Sequence, residues 1–313
     1  MGATEGPAAS RALDGTPSVT AQPPPPVPDA QTARRPLLEA FAHNRMALVG
    51  AIGLLMIVLF CFIGPLLYHT DQVHVNFDQI DLSPGSGGHP LGTDQSGYDV
   101  LGRLMAGGQT SLIVCISAAI LAACLGSLVG AIAGYVGGFV DAVMMRLVDA
   151  FLSIPQLFVV IVVATIIIPS RLSLTILIAA LSWFSTARLV RGETLRIREL
   201  EYVDAAHAAG ARGSRIILRH VLPNAVGVIA VSTTFQVADA ILLLASLDFL
   251  GLGIPPPAAS WGGMLTTGLQ YVYDGYWWLI VPAGVIIVFT VTMVNVIGDG
   301  LRDAFEVRLR ERA

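Results

Sequence analysis

Apolar positions along the chain gather into six long runs separated by polar segments. Met46–Leu67 is 22 residues without a charge, and Thr110–Val140 is 31. The second run is long enough for one tilted helix and a short connection. Ala150–Ser170 follows, then Leu172–Ala187, 16 residues bounded by Arg171 and Arg188. Val221–Leu250 is interrupted by Asp239 and Asp248, and Trp277–Ile297 opens on a tryptophan pair. Crossing a bilayer takes about 20 apolar residues at about 1.5 Å each. The short fourth run qualifies because long arginine side chains snorkel to the headgroups. Paired tryptophans suit a membrane interface. The pattern predicts an all-α membrane protein with six transmembrane helices.

Composition agrees. Of 313 residues, 54% are hydrophobic and 13% charged, where soluble domains carry about 25% charged residues. A soluble enzyme and a disordered protein both fit poorly. All 18 basic residues are arginine. Without lysine the chain lacks the Walker A lysine of a P-loop ATPase and any Schiff-base lysine. Six spans put both termini on one side. With that side inside, only Arg103 and Arg171 lie outside. The Tyr68–Gln109 loop holds five aspartates, and Gly251–Tyr276 has no basic residue. This positive-inside pattern predicts cytoplasmic termini and a cell-membrane location.

The flanks and boundaries follow. Residues 1–33, with Pro23–Pro26 in a row, cannot bury a core and read as a disordered cytoplasmic tail. Residues 34–107 hold a short stretch, Arg34–Arg45, then the first span and an outer loop. That stretch reads as an interfacial helix or as an extension of span one. Residues 108–305 form a five-helix core, and 306–313 a second cytoplasmic tail. Cys61, Cys115 and Cys124 fall inside spans and read as apolar fillers rather than a disulfide framework.

Two segments carry more specific information. Ala118, Ala122, Gly126, Gly130 and Gly134 recur every four residues, one ridge of a helix. Small residues there admit a closely packed neighbour, in this chain or another. The loop 188–223 holds seven arginines and four acids. Within it Glu201-Tyr202-Val203-Asp204-Ala205-Ala206-His207-Ala208-Ala209 reads as a short helix with an alanine strip. Gly210 is its natural stop, and Pro223 after Leu222 suits the first turn of the next span. Such a helix reads either as an ordinary polar loop or as a surface for another protein to grip.

Asp204-Ala205-Ala206, Gly210 and Leu222-Pro223 resemble the EAA loop of ABC importer permeases. His89-Pro-Leu-Gly-Thr-Asp94 with Gly97-Tyr-Asp-Val-Leu101 is similar to the dipeptide/oligopeptide/nickel branch. So is Phe249-Leu-Gly-Leu-Gly-Ile-Pro-Pro256 with Ser260-Trp-Gly262. Asn44-Arg-Met-Ala-Leu-Val-Gly50 is similar to its C-type subunit. The resemblance covers about residues 34–305. It implies a type I importer permease fold and a non-catalytic half-transporter for dipeptides or oligopeptides, with nickel or another small solute as the alternative. Glu201, Asp204, Ala205, Ala206, His207, Gly210, Leu222 and Pro223 would couple it to the ATPases. The implied partners are a homologous permease, two ATPase subunits or a fused pair, and an extracytoplasmic solute-binding protein. ATP and magnesium would be bound by the ATPases, with no cofactor in this chain. The sequence departs from the pattern at Asp204, where glutamate is usual, and at His220, where isoleucine is. Relatives often carry an acid where this chain has Leu243, one turn beyond Asp239.

Other constellations carry less. Leu104–Gln109 resembles an ATPase LSGGQ motif but lies on the outer side, so chance or helix packing explains it. Asp239, near mid-membrane, reads as a substrate-path residue or as an inter-helix hydrogen bond to Ser232, Thr233 or a neighbouring subunit. Asp248, nearer the outer end, is expected in water. His69, His74 and His89 lie outside with Asp71, Asp78 and Asp81 at spacings that fit no closed metal set. Nothing suggests nucleic-acid binding. An ion-driven secondary transporter would show inverted repeats around a midplane ion site, and an intramembrane enzyme a convergent catalytic set; neither pattern is found.

Overall fold

The structure, a computed structural model, describes Gly2 and residues 44–310, with side chains to residue 305. The proline-rich tail and nearly all of the 34–45 stretch lie outside the described residues. The helices in chain order are α1 (Arg45–Leu67), α2 (Val100–Val136), α3 (Gly138–Leu152), α4 (Gln156–Ala164) and α5 (Arg171–Arg198). Then come α6 (Glu201–Ala208), α7 (Gly213–Ile216), α8 (Leu222–Phe249), α9 (Trp261–Leu269) and α10 (Val281–Arg310). Among the described residues there is no strand, only an isolated bridge between Thr93 and Asp99. Five helical stretches are long and apolar enough to cross a membrane, or six if α3 and α4 count as one bent span.

The long helices alternate in direction. Asn44, which caps α1 by accepting from the Met46 and Ala47 amides, also donates to Asp303 of α10 at 3.2 Å. One end of α1 therefore meets the far end of α10. Gly227, early in α8, lies against Phe305 of the same end. At the opposite end Trp261 of α9 is 1% exposed and donates through Nε1 to Leu104 O at 2.9 Å. The core between the ends is apolar. Leu112, Cys115 and Ala118 of α2 pack with Leu174 and Ile178 of α5 and with Ile241 and Leu244 of α8. Exposed Ile52, Leu55 and Met56 of α1 and Leu121, Leu125 and Leu128 of α2 suit a lipid surround.

Four expected boundaries differ. Run three is not one straight helix: α3 and α4 diverge by 81°. Pro155 offers no amide hydrogen and disfavours helical backbone at Ile154. Ser153 Oγ donates to Ala150 O, closing α3. The second span starts at Val100, before the predicted core boundary, because Asp99 caps it by accepting from Gly102 N at 2.6 Å. At 37 residues it is about 55 Å long. The fourth span, α5, continues past Arg188 to Arg198, so much of the 188–223 segment is helical. Arg188 pairs with Asp149, and Arg191 chelates Asp141 at 2.5 and 2.6 Å. Those ion pairs let charged turns stay folded against α3. Finally, α10 continues through Arg310, into the segment read as a tail.

Candidate functional site

The glycine ridge of α2 lies on α5 of the same chain. A Cβ at Gly126 would stand 2.8 Å from the Thr186 Cβ, and one at Gly134 2.8 Å from the Thr194 Cβ. At Gly130 it would meet Arg191 N at 2.9 Å. Ala118 and Ala122 are fully buried. Backbones this close leave no room for side chains, so α2 and α5 interlock as one body. Arg198, at the end of α5, donates to Gly134 O at 3.1 Å, satisfying a carbonyl in the last turn of α2.

From that body hangs α6. Val203 is its one buried residue, set among Ala131, Val190, Ile197, Ile216 and Val221. Ala206 packs on the same cluster, facing inward. Glu201, Asp204, Ala205 and Ala208 are exposed. Their i, i+3, i+4, i+7 spacing makes one outward face. The alanine strip is thus divided: Ala205 and Ala208 face out while Ala206 faces the body. Both acids lie toward the N-terminus, where negative charge complements the helix dipole.

The C-terminus of α6 closes on Gly210. Its φ is +77°, a left-handed conformation that costs glycine nothing. Gly210 N donates to His207 O at 2.9 Å and Ala211 N to Ala206 O at 3.0 Å, the paired bonds of a Schellman cap. Space around Gly210 is open. His207 leaves the outward face to stack on Tyr135 of α2, rings 5.8 Å apart and 5° from parallel. Tyr135 Oη and His207 Nε2 are 3.1 Å apart. Sequence reasoning missed Tyr135, although it stands one residue past the last ridge glycine. Downstream, Leu222 N donates to Ile217 O across a π turn at Ile217–Val221. That wider turn accommodates Pro223, which has no hydrogen to donate. Asn224 Nδ2 donates to His220 O at 2.6 Å and to Tyr202 Oη at 3.3 Å, joining the start of α8 to α6.

At the other end of the bundle the glycine-rich motifs build a cap. Gly92 and Gly97 have φ of +77° and +75°. Asp94 Oδ1 accepts from Ser96 N and Tyr98 N. Asp99 Oδ2 receives Tyr68 Oη at 2.9 Å and faces His89 Nδ1 at 2.8 Å. Burial, then the hydrogen bond to Asp99, push the Tyr68 phenol up to about 12, so it keeps the proton it donates. His74 lies against Asp71, while His89 lies against Asp99. Among the described residues no three His, Cys, Asp or Glu side chains converge as a metal site. Gly107 and Gly108, in the LSGGQ-like stretch, lie under Ser260 and Trp261. Asp248 is 5% exposed, against the expectation of a wet residue. It accepts from Ile254 N at 3.0 Å, folding the Gly251–Pro256 turn back over its own helix end.

Asp239 is exposed along α8 and has no hydrogen bond among the described residues. Ser232 instead pairs with Thr186 at 2.7 Å, and Thr233 donates to Ile229 O, so neither meets Asp239. The acid borders a cavity of about 230 Å³ beside the α3–α4 break.

The bundle of membrane-length helices thus carries a two-faced helix at one end and a glycine-built cap at the other. Residues 126–311 match the family of binding-protein-dependent transport system inner membrane components. Residues 34–84 match the N-terminal transmembrane domain of oligopeptide transport permease C. The chain is 42% identical over 281 residues to the oligopeptide transport system permease protein OppC of Escherichia coli K12, covering 90% of this chain and 91% of that one. It is 37% identical to OppC of Bacillus subtilis 168, over 87% and 88% of the two chains. It is 36% identical to the dipeptide transport system permease protein DppC of the same organism, over 90% of each. The chain belongs to the C-type oligopeptide permease family, the inner-membrane permeases of ABC importers.

Proposed function

We propose that this chain forms half of the translocation pathway of an ATP-driven importer for dipeptides or oligopeptides. It crosses the membrane six times, α3 and α4 together making one bent span, with both termini cytoplasmic. A homologous permease supplies the other half, and an external solute-binding protein delivers peptide to the glycine-built cap. ATP and magnesium bind separate ATPase subunits, or a fused pair, and this chain hydrolyses nothing itself. The observation that carries this reading is the division of α6. Val203 and Ala206 hold it to the α2–α5 body, while Glu201, Asp204, Ala205 and Ala208 stand free. A helix anchored on one face and bare on the other, ended by the Gly210 cap, suits a groove in a second protein. Closure of two ATPases then displaces two such helices, and each rigid α2–α5 body rocks with its own. Leu222 and Pro223 return the chain to α8. Asp239 lies on the substrate path. ATP and loaded binding protein must each favour one state over the other for this cycle to run.

Purification of the tagged chain from its native membrane in mild detergent, with mass spectrometry of the associated proteins, tests the proposal. A homologous membrane protein and P-loop ATPases are expected to accompany it. Isolation of the chain alone, stable and monodisperse, would overturn the reading.

A further inference from the structure

The cavity beside the α3–α4 break is bordered by polar groups from three helices. Gln156 comes from α4, Ser182 and Ser185 from α5, and Gln236 and Asp239 from α8. Gln236 and Asp239 are three residues apart, neighbours on one helix face. Gln236 is 7% exposed. Its Nε2 donates to Thr186 Oγ1 at 2.6 Å and to Ser182 O at 3.1 Å. Turning the amide over would set its oxygen against a carbonyl, so the orientation is fixed. Oε1 is consequently the group left over, and it is buried without a partner. An orphaned buried acceptor is costly and calls for a donor. Asp239, one turn along the same face, is likewise without a hydrogen-bonded or charged partner among the described residues. Ser182 Oγ accepts from Gln156 Nε2 at 3.1 Å. The lining therefore holds one orphaned amide oxygen and one uncompensated negative charge beside the Ser182 and Ser185 hydroxyls, with no cation among its residues.

We propose that this cavity is a transit site for the α-ammonium group of a peptide, with Asp239 as its counter-charge and Gln236 Oε1 as a second acceptor. An ammonium brings three donors and a positive charge, which suits a carboxylate with no cation or hydrogen-bond donor of its own. Acids at membrane depth otherwise face a pairing group or water. Ile154 and Pro155, at the bend between α3 and α4, border the same cavity. This inference rests on the peptide-importer reading and adds the part of the peptide recognised inside the membrane.

The test uses the assembled complex of both permeases and the ATPases, without the binding protein. Binding of trialanine and of propionyl-dialanine, the same molecule lacking the amino group, is measured by saturation-transfer NMR. Trialanine is expected to bind wild type about tenfold more tightly than Asp239→Asn, the factor for one charge-assisted hydrogen bond. Propionyl-dialanine is expected to bind the two alike. Equal trialanine affinity in both proteins overturns the site, as does an equal loss for both ligands or no trialanine binding to wild type. If Asp239→Asn separates the two permeases on size exclusion, the acid is a subunit contact and the inference is again overturned. Trialanine uptake by wild-type vesicles supplied with binding protein is measured in parallel. Uptake there with a negative binding result removes this site alone, whereas absence of all peptide uptake removes the importer reading.

Discussion

The seam between α2 and α5 and the short helix α6 are joined in sequence and opposite in construction. Along the seam, Gly126, Gly130 and Gly134 put one backbone against the other with no space for a methyl group. In α6, one buried valine, one half-buried alanine, the His207–Tyr135 stack and the Tyr202–Asn224 hydrogen bond hold eight residues, and the space around Gly210 is empty. Close-packed interfaces resist deformation and transmit displacement. Short helices with few buried contacts open locally at little cost. The difference teaches how two adjoining elements can share mechanical work. On the proposed reading, the seam is a rigid lever and α6 a knob whose shape depends on a few local bonds and on what grips it. Substitutions should therefore act in two ways, through the fold in the seam and through coupling in α6.

The largest effect is expected in the seam. Gly130→Leu forces a branched side chain into a space closed by Ala187 and Arg191. Overpacking of this kind costs about 3 kcal/mol or more. The variant should lose monodispersity in detergent and melt well below wild type, as read by thermal-shift fluorescence. A variant that purifies and melts like wild type would show that α2 and α5 separate easily, and the lever description would be wrong.

Gly210→Leu comes next. Nothing lies near the added side chain, so the cost is the left-handed backbone alone, roughly 1–2 kcal/mol. That is enough to unwind the Schellman cap and swing the outward face of α6, yet too local to disturb insertion. The complex should assemble in normal amount. ATP hydrolysed per peptide imported should rise at least about fivefold, the population factor for about 1 kcal/mol. A normal ratio would count against α6 as the coupling element.

How much of this was legible beforehand depended on whether the signal was local. The apolar runs marked the spans because membrane length is a linear property of the chain. Gly210 stood out as a helix stop because a cap is a few residues long. The ridge on α2 was visible as a period of four, but its partner was not, since nothing local says which helix presents Thr186, Ala187 and Thr194. The break at Pro155 was hidden inside an uncharged run, where hydropathy is blind to backbone geometry. Helix α5 outlasted its apolar run because Asp141 and Asp149, some 40 to 50 residues earlier, neutralise Arg191 and Arg188. Asp248 looked wet from its place near a span end, and only the fold-back of Ile254 shows it enclosed. Gln236 is a single amide in a long apolar helix, and its meaning depends on Ser182 and Thr186 across the bundle.

The smallest effects lie where lever and knob touch, at Tyr135 and His207. Tyr135→Ala removes both the stack and the hydrogen bond, and stacked aromatic pairs are worth about 0.5–1.5 kcal/mol. The ratio of ATP hydrolysed to peptide imported should rise about threefold, with the melting temperature little changed because the pair lies at the end of the seam. Tyr135→Phe keeps the stack and loses only the 3.1 Å contact. A single exposed hydrogen bond contributes about 0.5 kcal/mol, so the ratio should change about twofold. Combining Tyr135→Ala with His207→Ala separates two readings of the contact. If the tyrosine acts by holding the histidine, the double variant should be no worse than the more affected single one. Additive losses would mean that Tyr135 steadies the loop through Gly213, which packs on its ring, and that the link between seam and knob runs along the Gly213 segment instead.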